Sequence, residues 1–174
     1  MLAIYLHHSV TFGMTAQTAH KTYWKALVIC APILKEVYVR DVSMDSFLDV
    51  GIPLHNNFKY AHHDTDAMVT ERNRPSGNHQ ESKIYVSGKH HLYCNKVEAS
   101  TYPNGEACHW TKHYPGATAD ITIFRDNVQF HRKSTKKSPA AQYVVDHGEG
   151  STKYPHHHAI ILDKGYVGIE DSVR

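Results

Sequence analysis

Cysteine is scarce. Cys30, Cys94 and Cys108 are the only three in 174 residues, and no two form a CxxC pair. An odd count without a leader argues for a reducing compartment and against a disulfide framework. No apolar run reaches the roughly 18 residues that a membrane-spanning helix needs. Residues 1–12 carry His7 and His8 and lack a basic start and a small-residue cleavage site, so no secretion leader is expected there. These absences predict an intracellular protein, nuclear or cytoplasmic, that is not secreted and has no membrane partner. Charge of one sign is missing too: 19 Lys and Arg against 17 Asp and Glu leave +2 with histidine neutral. So mild a balance does not by itself imply nucleic acid. There is no internal repeat, and no base-reading element is recognisable.

What is present is ordinary for a globular chain, with 41% hydrophobic and 21% charged residues and enough length for a real core. The exception is histidine, with 16 copies. Below their usual value of about 6.5 they would add positive charge and strengthen any attraction to phosphate.

Two regions are expected, a helical segment over 1–57 and an α+β domain over 58–174. In the first, Thr15 is a plausible N-cap, and Ala19, Tyr23, Ala26 and Cys30 recur at helical spacing with Leu27 beside them. Pro32 is expected to interrupt that helix, with a second from Ile33 to Val39, and Gly51-Ile52-Pro53 to close the segment. From Phe58 to Thr70 a strand is expected, then a turn over residues 72–77, and a short extended piece at Ile84-Tyr85-Val86. Residues 91–102 read as a strong strand. Pro103-Asn104-Gly105 is a hairpin signal, and residues 106–112 return antiparallel. Tyr114-Pro115-Gly116 ends that strand. Residues 117–131 read as a helix with Ile121, Phe124 and Val128 on one face and Asp120 in the first turn, where a negative charge suits the dipole. Residues 132–157 show no period. Ala159–Leu162 reads as a short buried strand, Gly165 and Gly168 as turns, and residues 169–174 as the start of a helix.

The order strand, strand, strand, helix, strand has a consequence for chemistry. A right-handed crossover through the helix lays the last strand parallel to the first and beside it. Asp66 and Asp163, at or near the ends of those strands, would then meet. Two oxygen donors of that kind suit Mg²⁺ or Mn²⁺ in phosphate chemistry. Asp64, two residues earlier on the same face, is the nearest competitor of Asp66.

The words along this chain resemble the DDE superfamily of transposase-derived endonucleases, in its PIF/Harbinger and IS5-like branch. They are Thr65-Asp66-Ala67, Arg74-Pro75-Ser76-Gly77, Tyr85-Val86-Ser87-Gly88-Lys89-His90 and Lys96-Val97-Glu98. They continue through Pro103-Asn104-Gly105 and the run from His113 to Asp120, and end at Leu162-Asp163-Lys164-Gly165-Tyr166. The resemblance covers residues 58–170 and implies an RNase H-like mixed sheet, here incomplete at its C-terminal side. It also implies cleavage of DNA with two divalent cations, Mg²⁺ or Mn²⁺, held by three acids. Carried over by motif, Asp66 is the first acid and Asp163 the second, both catalytic and metal-binding, with Asp120 the alternative second ligand. The third is a glutamate on a later helix that is not among these residues, so impaired activity is expected. The implied partners are DNA and either a DNA-binding protein or a second copy of the chain. Cys94-Asn95 and the histidine clusters at 62–63, 90–91 and 156–158 depart from the family pattern. A non-catalytic DNA- or protein-binding remnant is the alternative function.

Other candidates carry less. The basic run Arg132-Lys133-Ser134-Thr135-Lys136-Lys137, with Lys89, could contact a DNA backbone. His109 and His113 have the spacing of a zinc pair, with Cys94 and Cys108 near in sequence. On a strand, however, residues four apart stand too far from one another to share one ion easily.

Overall fold

The computed structural model describes residues 7, 9–49, 57–143 and 145–174. It divides the chain into two compact units, Met1–Val39 and Arg40–Arg174. The first is dominated by α1, Ala16–Tyr38, a single helix of 23 residues. Thr15 caps it as expected, its hydroxyl accepting from the Thr18 amide at 3.1 Å. Pro32 does not divide it. The proline forfeits one backbone hydrogen bond, but Ala26, Leu27, Ala31, Leu34 and Lys35 are strong helix formers on either side and carry the helix through. The expected stop at Gly51-Ile52-Pro53 lies outside the described residues.

The second unit opens on a segment that leads into α2, Met44–Asp49. Its sheet strands are β1 (Ala61–Glu71), β2 (Val86–Ser87), β3 (Leu92–Thr101), β4 (Ala107–Trp110), β5 (Tyr114–Pro115) and β6 (Ala159–Leu162). Between β1 and β2 lies α3, His79–Lys83, a short helix beyond the elements expected from the sequence. Its signal is Asn78 followed three residues later by Glu81, and the Asn78 side chain indeed accepts from the Glu81 amide at 2.9 Å. The crossover helix α4 runs Asp120–Ser134, beginning three residues later than expected.

The sheet is mixed, in the order β2-β3-β1-β6, and with its helices gives the expected α+β class. β1 and β3 pair antiparallel from Asp64↔Thr101 to Glu71↔Cys94, and β6 lies parallel to β1, as the crossover argument required. The far edge of β3 is covered in turn by β2, β5 and β4. β5 is a strand of its own at Tyr114–Pro115, where the sequence predicts only a strand end. The β3–β4 hairpin turns at Gly105, whose φ of +84° is open to glycine at no steric cost. Gly116 answers a different need: a Cβ there would sit 2.5 Å from both Cys94 Sγ and the Tyr85 carbonyl oxygen.

α4 covers one face of the sheet. Phe124, Tyr166, Ile169 and Val173 form its apolar core, with Ile121, Val128, Ile160 and Leu162 packed around them. Thus Ile121, Phe124 and Val128 do share a face, and Ile123 is buried as well. A second cluster joins Phe47, Tyr102 and Cys108 to Val42 and Phe130. β6 is half-buried rather than fully buried. Residues 169–174 turn without forming a helix. The segment 135–157, which showed no period, is held by a buried ion cluster: Asp146 binds Lys137 at 2.8 Å and Arg174 Nη2 at 2.6 Å. No helix among the described residues is long and apolar enough to cross a membrane.

Candidate active site

The parallel register brings the two distant acids together. Thr65 is aligned with Leu162, so Asp66 and Asp163 are the next residues along adjacent strands. Neighbouring strands lie about 4.8 Å apart, which sets the order of separation of the two backbones. Asp66 is held in mid-sheet, flanked by β3 through its pairing with Ala99. Asp163 sits where β6 gives way to a turn. That turn closes through the Tyr166 amide, which donates to the Asp163 carbonyl oxygen at 3.1 Å. α4 pins it from above: Tyr166 packs its ring on Phe124 at 5.8 Å, and Arg125 Nη2 donates to the Gly168 carbonyl oxygen at 3.2 Å.

Both acids are exposed. Each accepts one hydrogen bond at Oδ1 from the next backbone amide, Ala67 or Lys164, at 2.7 Å. This fixes the carboxylates while leaving capacity for a further ligand. Asp64 is the weaker competitor because its carboxylate is taken by the Thr101 hydroxyl.

Asp120 lies elsewhere. Strand alternation puts Lys96 and Glu98 on the α4 face of the sheet, with Thr65 and Ala67, and sets Asp66 on the opposite face. Asp120, the first residue of α4, is half-buried and receives the Lys96 ammonium at 2.7 Å; the same ammonium donates to the Thr118 carbonyl oxygen at 2.9 Å. The Tyr166 hydroxyl is buried between these groups. Burial pushes its pKa above the usual tyrosine range, the negative charges of Glu98, Asp120 and Asp66 add to this, and the Ala67 amide opposes it. Tyr166 and Arg125 therefore hold the turn that carries Asp163, and Lys96 ties β3 to the start of α4. Tyr166 and Lys96 stood inside the quoted words without being given roles. Arg125 carried no local signal, since its partner is 43 residues away.

The basic candidates do not gather at the acids. Lys89 is exposed in the turn between β2 and β3. Arg132 and Lys133 lie in the last turn of α4, about 18 Å of helix from Asp120. Arg132 donates to the Ser172 carbonyl oxygen at 2.8 Å, and Lys133 faces Asp41 at 3.8 Å. Lys137, the end of the run, is buried against Asp146. The zinc grouping does not form either: His109 stacks on Phe130 at 3.9 Å, and no group of three or more His, Cys, Asp or Glu among the described residues could hold a metal ion.

Residues 65–173 match the family of DDE superfamily endonucleases, which is more than half of the chain. The chain belongs to that family. No curated protein and no solved structure matches it. Both Asp66 and Asp163 fall within the matched stretch, as do the α4 crossover and the positioning residues. The six-stranded mixed sheet agrees with the RNase H-like fold expected of a DDE endonuclease domain. A transposase-derived nuclease is the broad function this supports, and DDE superfamily endonucleases generally use divalent metals.

The donor set at the acids fits such an ion. Two adjacent exposed carboxylates with free oxygen capacity are hard ligands. Mg²⁺ commonly takes one or two carboxylates and keeps several waters.

Proposed function

We propose that this chain is a divalent-cation-binding DDE endonuclease domain acting on DNA, in which Asp66 and Asp163 hold Mg²⁺ or Mn²⁺. The register of β1 against β6, which sets these two acids side by side, supports the reading most directly. A bound cation would supply charge stabilisation and an activated oxygen at a phosphodiester. The chain's own residues do the positioning. β1 fixes Asp66, while Tyr166 and Arg125 fix the turn that carries Asp163. In this reading Asp120 serves Lys96 and the helix N-terminus. No third carboxylate joins the pair among the described residues, so we propose that binding outlasts efficient cleavage. Lys89, with Arg132 and Lys133 further along the surface, would meet the DNA backbone rather than the reacting phosphate. A nuclear or cytoplasmic site of action, and a DNA-binding partner protein or second copy, belong to the same proposal.

The test is calorimetric titration with Mn²⁺ beside plasmid nicking, on the chain, Asp66→Ala and Asp163→Ala. Either substitution should weaken cation binding by at least about tenfold and abolish whatever nicking is seen. Equal binding in all three proteins refutes the site. Missing third ligation favours one second reading, a DNA-binding remnant without catalysis. Salt-dependent DNA retention with no response to Mn²⁺ would support it.

A further inference from the structure

A row of buried side chains crosses the core beneath α4. His62 Nε2 lies 3.1 Å from the Val42 carbonyl oxygen, and His62 Nδ1 lies 2.8 Å from His63 Nδ1. His63 Nε2 lies 3.1 Å from His131 Nδ1, and His131 Nε2 lies 3.1 Å from Glu98 Oε1. All four side chains have 0% exposure. Among the described residues Glu98 Oε2 has no hydrogen-bond partner. Two neighbouring strand residues can both turn inward because the β1–β6 register slips at this point. Ala61 is aligned with Ala159 and His63 with Ile160, leaving His62 as the extra residue of a bulge.

The row has a fixed direction at one end. A carbonyl oxygen only accepts, so His62 Nε2 carries a hydrogen and donates. With His62 neutral, its Nδ1 accepts, and the shared hydrogen belongs to His63 Nδ1. The same rule makes His63 Nε2 an acceptor and His131 Nδ1 a donor. A neutral His131 then turns a bare lone pair toward Glu98. An ionised Glu98 offers only lone pairs in return. Two buried acceptors facing each other at 3.1 Å would repel and leave both unsatisfied. One more proton resolves the conflict. Placed on Glu98 or on any of the three rings, it completes every bond, and the count is one in each case.

We propose that the row His62–His63–His131–Glu98 is a proton-binding site, which the folded protein fills with one proton beyond three neutral imidazoles and an ionised carboxylate. Burial lowers the pKa of His62, against the Val42 carbonyl and Asp41, which raise it. The other titratable groups facing the row include Tyr102, edge-on to His62 at 5.2 Å, His158, stacked over His62 at 6.3 Å, and His109, edge-on to His131 at 6.5 Å. Tyr166 and Tyr114 adjoin Glu98, and the Lys96–Asp120 pair lies on the same face of the sheet. Asp64 is on the opposite face, bound to Thr101.

Above the ordinary histidine value of about 6.5, the unfolded chain carries none of this proton and the folded chain keeps it. The folded state then binds one proton more, so stability falls as pH rises. Urea unfolding between pH 7 and 8.5 tests this on the wild type and Glu98→Gln. A glutamine amide donates to His131 Nε2 without any added proton. The unfolding constant of the wild type should rise with pH more steeply than that of the variant, by about tenfold per pH unit. Equal slopes overturn the proposal. Should Glu98→Gln fail to fold, ¹⁵N-histidine and ¹³C-carboxyl spectra of the wild type at pH 8 decide it. The expected result is a hydrogen on His62 Nε2 and either a protonated Glu98 or one imidazolium. Three neutral rings beside an ionised Glu98 would refute it.

Discussion

Asp146 offers the sharpest quantitative test of how residues 135–157 are held. Its carboxylate receives Lys137 Nζ at 2.8 Å and the guanidinium of Arg174, and the three side chains are 7%, 5% and 1% exposed. Arg174 also donates to the carbonyl oxygens of Glu149 and His157, tying the far end of the segment to the same point. Asp146→Ala would leave two cations buried side by side with no anion. Breaking a buried pair typically costs about 3–5 kcal/mol, because the abandoned charge has already left water. For a unit of this size that corresponds to a fall of roughly 10–20 °C in the thermal midpoint. Asp171 is the control, since its bond to Lys153 is solvent-exposed. Asp171→Ala should leave the midpoint where it is. Differential scanning calorimetry of both variants at pH 7 makes the comparison. A drop for Asp146→Ala no larger than for Asp171→Ala would show that the cluster is not sequestered. The pH response has a definite sign. Burial alone would raise the Asp146 pKa, but hydrogen bonds from Arg174 and then Lys137 more than reverse this and hold it below the usual carboxylate range. The stabilisation is therefore present above about pH 3.8 and is lost as pH falls below it.

Two further outcomes follow from the core. Burial first, then electrostatic interaction with His62 and Lys137, lowers the His158 pKa to about 4, against Asp146 and Asp45. A group depressed from about 6.5 favours folding while neutral, so the wild type should lose on the order of 3 kcal/mol between pH 6.5 and 4. Urea midpoints for His158→Gln should show a flatter acid limb, and an unchanged limb would contradict the assignment. Gly116→Ala should destabilise by about 1–3 kcal/mol, because the added Cβ meets the Tyr85 carbonyl oxygen, which has little room to move. An unaltered urea midpoint would mean that β5 is not seated where it is found.

How legible this was in the sequence depended on whether the deciding interaction was local. The β3–β4 hairpin was written in Pro103-Asn104-Gly105, and the parallel placement of β6 followed from element order and the crossover rule. Those two facts delivered the adjacency of Asp66 and Asp163. The ion cluster was not readable, because Asp146 takes partners 9 and 28 residues away and no local pattern announces either. Pro32 misled for the opposite reason. A strong local breaker was outweighed by the helix formers around it. The histidines misled most. His62, His63 and His131 count as polar in any pattern, yet all three are fully buried, and the bulge that turns His62 inward leaves no mark in the sequence. α3 does carry a local signal, since Asn78 and Glu81 have the spacing of a helix start.

The acid pair itself makes a prediction that separates a catalytic cation from a structural one. Asp66 and Asp163 are both exposed, and their strands run side by side. Two carboxylates about 5 Å apart in water repel by about 1 kcal/mol, and salt reduces this further. Nothing so small demands a counter-ion for folding. The apolar core under α4, by contrast, closes through Phe124, Tyr166, Ile169 and Val173 without any contribution from the acids. The chain should therefore keep its thermal midpoint within about 2 °C when purified in EDTA, and excess Mg²⁺ should raise it only as mass action on a weak site allows. A structural metal would behave otherwise, since its binding energy is folding energy and a chelator unfolds the domain. Loss of the cooperative transition in EDTA would mean that a cation is built into the core. The acids would then no longer be the place to look for it.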